Sequence, residues 1–224
     1  DMKRFKTQMN ALLFTVAVAG LVANDVNAAS DGRWFLRPVV GLSMVSDFQG
    51  TANSISGFSG PADIRLDNGF NAGLGVGYRY NSNLAVELAW EYRSNDSEVI
   101  TDGGTSLGTG NYASNTFFLN GFYFFNQTAQ WQPYLGAGLS WVQEIDLDFE
   151  QSGVESSFSS DGDVGYQVFA GLSYKLTPDW ALQTELRYGS ITNITLESES
   201  GNGSRFTGME YQPFTVQLGL SYQF

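Results

Sequence analysis

The chain of 224 residues carries 23 acidic and 11 basic side chains, a net charge of −12, with no histidine and no cysteine. So acidic a chain argues against a nucleic-acid partner, and the lack of cysteine excludes disulfides, a thiolate metal site and a lipid-anchoring cysteine. The lack of histidine removes a Ser-His hydrolase, a His-assisted acyl transferase and the usual nitrogen ligands of zinc.

Lys3, Arg4 and Lys6 open the chain, an apolar run follows from Ala11 to Ala23, and Val26-Asn27-Ala28 offers a small-residue cleavage site. This order predicts a cleaved signal peptide over 1–28 and leaves residues 29–224 as one domain. The apolar run has thirteen residues, against about 20 for a membrane-spanning helix; a retained amphipathic helix is the competing reading.

Twenty-six glycines, 15% aromatics and five prolines fit many short strands, and no stretch sustains a helical period. The first strand runs from about Trp34 to Val45, with Trp34, Leu36, Pro38, Val40, Leu42 and Met44 on one face. Phe35, Arg37, Val39, Gly41 and Ser43 take the other, since a period of two puts each set on one side of a strand. Next, Phe70, Ala72, Leu74, Val76, Tyr78 and Tyr80 alternate with Asn71, Gly73, Gly75, Gly77 and Arg79, and Asn81-Ser82-Asn83 reads as a turn. Leu84, Val86, Leu88, Trp90 and Tyr92 then oppose Ala85, Glu87, Ala89, Glu91 and Arg93. Asn115 to Phe125 is ambiguous, because Phe117, Leu119 and Tyr123 oppose Phe118, Asn120, Phe122 and Phe124; Asn120 is placed inward. The fifth strand offers Pro133, Leu135, Ala137, Leu139 and Trp141 outward, and the sixth Tyr166, Val168, Ala170, Leu172, Tyr174 and Leu176. After Thr177-Pro178-Asp179, Trp180, Leu182, Thr184, Leu186 and Tyr188 face outward against Gln183, Glu185 and Arg187. Phe214, Val216, Leu218, Leu220, Tyr222 and Phe224 make an eighth.

Charge placement gives the alternation its meaning. None of these apolar faces carries a charge, whereas Arg37, Arg79, Glu87, Glu91, Arg93, Lys175, Glu185 and Arg187 all lie on the opposite face. A basic side chain facing a bilayer midplane costs about 2–4 kcal/mol. A soluble sandwich or lipocalin would instead hide the apolar face, and alternation alone does not separate the two. Aromatic residues at both strand ends do: Trp34, Tyr78, Tyr80, Tyr123, Trp180, Tyr222 and Phe224 near the short turns, and Trp90, Tyr92, Trp141 and Tyr188 toward the long connections. Two such girdles mark two lipid-water interfaces. The expectation is an all-β, eight-stranded antiparallel up-and-down transmembrane β-barrel. Its short periplasmic turns fall at Asn81, Asn126 and Thr177, and four longer acidic extracellular loops span about 47–67, 94–114, 144–164 and 191–212. Both termini are then periplasmic, with no room for a cell-wall-binding domain.

Asn120 to Phe125, Pro133-Tyr134-Leu135-Gly136-Ala137-Gly138-Leu139, Phe169 to Leu176, Glu185-Leu186-Arg187-Tyr188 and the aromatic terminus resemble the small eight-stranded outer-membrane barrels, the OmpA/OmpX-type and opacity-like surface proteins. The resemblance implies residence in the bacterial outer membrane among its lipid and lipopolysaccharide, and insertion by the barrel-assembly machinery, which reads Phe224. It also implies a surface role such as adhesion, immune evasion or envelope integrity, with a host or surface ligand at the loops. Lipid A palmitoyltransferase and deacylase barrels are similar in size but need histidine, so no catalytic residues, cofactor or enzyme activity are expected.

A lumen of eight strands is about wide enough for its own side chains to fill. Arg37, Arg79, Arg93, Lys175 and Arg187 against Glu87, Glu91 and Glu185 predict a salt-bridged plug, since buried charges are tolerated when paired or solvated. Gln167, Gln183, Gln217, Tyr134 and Asn120 lie nearby, and Gly73, Gly75, Gly136 and Gly138 leave room. The alternative is a narrow gated pore for small solutes or ions. The loops hold sixteen acidic residues against Arg65 and Arg205, fourteen net negative charges. Asp146, Asp148 and Glu150 keep the inward parity of the fifth strand, which extends that strand beyond the membrane with three carboxylates on one face, oxygen ligands that suit calcium or magnesium. The competing reading, favoured because no calcium-loop pattern is present, is a solvated self-repelling surface, with Asp161-Gly162-Asp163 as a turn.

Overall fold

The computed structural model describes residues 32–45, 48–125, 129–151 and 153–224; the expected signal peptide, Asp47 and the turn at Asn126 lie outside these. Among the described residues the chain is all-β and every strand pairing is antiparallel. The strands are β1 Arg33–Val45, β2 Phe48–Ile55, β3 Phe58–Leu66, β4 Gly69–Arg79, β5 Leu84–Thr101, β6 Ser106–Phe124, β7 Trp131–Gln151, β8 Val154–Ser160, β9 Val164–Lys175, β10 Trp180–Ser198, β11 Arg205–Tyr211 and β12 Pro213–Gln223. Pairing runs from β1 through β4, β5, β6, β7, β9, β10 and β12 back to β1, the closed circuit of an up-and-down barrel.

Side chains fix two of its turns. Asn81 Oδ1 accepts the N–H groups of Asn83 and Leu84, both at 2.8 Å, and Thr177 Oγ1 accepts those of Asp179 at 3.3 Å and Trp180 at 3.1 Å. Short polar side chains at such positions replace backbone partners and stop the strand.

The faces fall as the alternation predicts. Val40, Leu88, Leu139 and Leu218 are each more than half exposed, while Arg37, Glu87, Asn120, Gln167, Glu185 and Gln217 are buried. The ambiguous strand β6 resolves with Asn120 inward beside Phe118, Phe122 and Phe124. An outer surface this apolar suits lipid and not water.

The expected loops are not loops. β2 and β3 form a hairpin, β8 and β11 are strands of their own, and β5, β6, β7 and β10 run on for 18, 19, 21 and 19 residues. That is why twelve strands form and not eight. A second circuit, β11–β2–β3–β5–β6–β7–β8–β10 and back to β11, continues the first and shares those four long strands. Its weakest seam is β8 against β10, where only Glu197↔Ser159 and Ser198↔Phe158 are in register. This collar forms because its stretches also alternate, as Ile145, Leu147 and Phe149 do between acidic neighbours.

In the collar the apolar residues point inward. Twenty buried residues, among them Phe48, Ile64, Tyr112, Leu147, Phe158 and Phe206, form its core, and Phe48 stacks on Tyr211 with ring centres 4.7 Å apart. In two of the shared strands, β7 and β10, bulges make the inversion. In β7 the pairs Thr116↔Val142 and Asn115↔Glu144 leave Gln143 as an extra residue, which shifts the face of every residue beyond it. In β10 the register slips around Asn193, whose φ is 61°, a left-handed conformation that asparagine tolerates. Asp146, Asp148 and Glu150 therefore face outward, opposite to the expected parity. A smaller aromatic cluster, Phe35, Ala85, Phe122, Phe124, Tyr134 and Phe169, lies toward the short-turn end.

Candidate functional site

Between the aromatic cluster and the collar core lies a layer of buried charge. Arg37, on β1, meets Glu87, on β5, in a two-pronged pair, Nε to Oε2 and Nη2 to Oε1, each 2.7 Å. Such fork-to-carboxylate geometry is among the stronger ionic hydrogen bonds. Arg37 Nη1 is also 3.7 Å from Glu185 Oε2 on β10. Arg187, two residues along the same face, donates to Glu185 Oε1 from Nε at 3.0 Å and Nη2 at 2.6 Å, and pairs with Glu91 through Nη1. Glu91 also takes Gln217 Nε2 at 3.0 Å and Asn71 Nδ2 at 3.3 Å, with Arg93 Nη2 3.5 Å away.

Neutral donors complete the layer. Asn120 donates to Glu87 Oε1 at 3.1 Å and accepts from Gln167 Nε2 at 2.6 Å, and the Tyr134 hydroxyl donates to Glu185 Oε2 at 3.0 Å. Aromatic faces flank the guanidinium groups: Arg37 lies 5.2 Å from the Phe122 ring centre, and Arg187 5.4 Å from both Phe118 and Phe169. Each such contact adds about 0.5–2 kcal/mol. Glycine provides the room, since a Cβ on Gly75 would overlap the Glu87 carboxylate and one on Gly138 the Asn120 amide.

Of the eight charges read from the sequence, six thus meet: Arg37, Glu87, Glu91, Arg93, Glu185 and Arg187. Arg79 stands apart at the turn end, donating to the Ser82 carbonyl at 3.1 Å with Phe124 beneath it at 4.1 Å. Lys175 closes β9 at the same end, in register with Ala181. Sequence reasoning missed Asn71 and Ser43 as partners, the latter accepting Arg93 Nη1 at 3.3 Å; their inward parity was the only signal.

The candidate cation site does not assemble. Asp146, Asp148 and Glu150 follow one another along the outer face of β7, opposite Ala113, Asn111 and Thr109. Among the described residues no three carboxylates come together as a metal would require. Asp146 is raised to about 6, first by burial and then by Glu144, Glu199 and Asp148. Asp163 is raised by burial despite accepting from Ser160 Oγ at 2.6 Å.

An antiparallel barrel with a lipid-compatible outside and a polar, charge-paired inside is an integral outer-membrane protein, and comparison agrees. Residues 13–224 match the family of outer membrane protein beta-barrel domains, and the chain belongs to it. It is 22% identical over 215 residues to outer membrane protein W of Vibrio cholerae, covering 92% of this chain and 95% of that one. To outer membrane protein W of Escherichia coli K12 it is 24% identical over 217 residues, covering 93% and 96%. In fold it is similar to a major outer membrane protein of Thermus thermophilus, with a TM-score of 0.55 at 16% identity, covering 86% of this chain and 99% of that one.

Proposed function

We propose that this is a closed-lumen surface barrel, with a structural or adhesive role in the envelope and no enzymatic one. In this reading the eight strands of the β1–β12 circuit cross the bilayer, and the short turns lie in the periplasm. The acidic collar stands outside the cell, where a host or surface ligand would meet it. What supports a closed lumen is the pairing of Arg37, Arg187 and Arg93 with Glu87, Glu91 and Glu185 across the interior, tying β1, β5 and β10 together. Above this layer the space narrows to a cavity of about 20 Å³, roughly one water. Above that, the collar interior is packed apolar side chain.

Opening such a lumen would separate paired charges and wet an apolar core, both costly in a low-dielectric interior. A structural role uses the barrel as built. Single-channel recording of the purified chain in planar bilayers tests this: a silent membrane is expected. Reproducible open steps would establish the narrow gated pore in its place. That second reading draws support from lumenal polar atoms without partners, including Asn71 Oδ1, Asn95 Oδ1, Thr215 Oγ1 and Gln217 Oε1.

A further inference from the structure

We infer that the lumen holds a binding site for one small monovalent anion, of chloride or bromide size, between the charge layer and the collar core. The site is a cavity of about 20 Å³ lined by Arg93, Arg187, Ser140 and Tyr211, with Phe118 and Ile191 as apolar walls. This volume suits one water-sized or halide-sized particle. Among the described residues, no Asp or Glu lines it.

Two observations point to an occupant. Ser140 Oγ is buried beyond nine-tenths and has no hydrogen-bond partner, a costly state for a polar group removed from water, and the equally buried Tyr211 hydroxyl beside it faces that of Tyr112. Both can donate, as can the two guanidinium groups beside them. Charge then separates an anion from a water. Arg187 lies between Glu91 and Glu185, and Arg37 between Glu87 and the same Glu185. Among the described residues Arg93 has one carboxylate, Glu91 at 3.5 Å, beside the Ser43 hydroxyl at 3.3 Å, and Glu91 already serves Arg187, Gln217 and Asn71. A guanidinium so thinly compensated in a dry interior favours a second anionic neighbour, and a neutral water would leave that charge as it is.

This inference rests on the closed lumen proposed above, and the two fail separately. Open steps in bilayers would end the closed lumen; a silent barrel without bound halide would end only this site. Crystals of the full barrel grown with sodium bromide should show one anomalous peak within hydrogen-bonding reach of Arg93 and Ser140. Diffraction that shows water density and no anomalous signal there overturns the proposal. In detergent solution, thermal unfolding should shift upward and saturably with bromide against gluconate at equal ionic strength. Ser140→Ala removes one donor to a charged ligand and should weaken the apparent bromide affinity about tenfold or more; Tyr211→Phe should do the same. Arg93→Gln should abolish the response if it folds. Folded Ser140→Ala and Tyr211→Phe barrels that respond to bromide as the parent does would also overturn the site.

Discussion

The barrel and its collar share β5, β6, β7 and β10, yet the two regions are dressed in opposite ways. In the barrel the outward face is Val40, Leu88, Leu139 and Leu218 and the inward face is arginine, glutamate and glutamine; in the collar phenylalanine, isoleucine and leucine turn inward and carboxylates outward. Among the described residues, Val154 is the one large hydrophobic exposed along the collar. The backbone pairing is the same in both. What changes is the solvent: lipid cannot bond with a carboxylate and water can, so the same period of two is read with opposite sign on either side of an interface. A single extra residue at Gln143 carries β7 from one regime into the other.

The sharpest way to break this comparison is to unbalance the barrel interior. Arg187→Met takes from Glu91 and Glu185 the guanidinium they share, and removing one partner of a buried pair costs about 3–5 kcal/mol. Urea unfolding of the barrel folded into lipid vesicles should show that loss. Arg205→Met, on the exposed face of the collar beside Glu197, should change stability by less than about 1 kcal/mol. Equal losses would mean that the lumen is hydrated enough to act as surface.

A second test places the same new charge on the outer face of each region. Leu218→Arg puts a guanidinium against hydrocarbon and should cost about 2–4 kcal/mol at the midplane. Asp148→Arg, on the outer face of the collar, should stay within about 0.5 kcal/mol. The same vesicle titration reads both. A neutral Leu218→Arg would place that strand outside the lipid belt, and with it the assignment of the two regions.

The barrel was legible in the sequence because its outward face is uncharged over every strand and its inward charges keep one parity, so six of the eight charges meet as parity requires. The collar was not, although Ile145, Leu147 and Phe149 alternate as cleanly as Leu135, Ala137 and Leu139. The run after Trp141 extends the fifth strand by its period but takes the barrel's parity, which turns its acids inward, and a local sequence carries no mark of the bulge that inverts parity at Gln143. Parity also places Arg79 inward without saying how far along the axis it sits; depth follows from register, which joins Arg79 to Ala85 at the turn end.

The smallest effect, and the one confined to the collar, concerns its weakest seam. Asp146 lies opposite Ser159 of β8, which in turn faces Glu197 of β10, while Asp148 is opposite Ser157, whose carbonyl accepts the Glu199 N–H at 2.9 Å. Glu144, Asp148 and Glu199 therefore surround Asp146, and Arg205 on β11 is in register with Glu197. With its carboxyl raised from 3.8 to about 6, the folded chain holds this proton more tightly than the unfolded chain does. The stabilisation is complete below about pH 4 and is lost as pH rises through about 6. The full shift would be worth about 3 kcal/mol, and solvent screening of a half-exposed side chain reduces it to about 1 kcal/mol. Amide exchange along β8 should therefore slow as pH falls from 7 to 5, after correction for intrinsic chemistry, while the barrel strands stay unchanged. Asp146→Asn should flatten that dependence and slow exchange at pH 7. An unaltered slope in Asp146→Asn would show that the seam takes its pH response from another carboxylate, or that two register pairs hold β8 to β10 more firmly than their number implies.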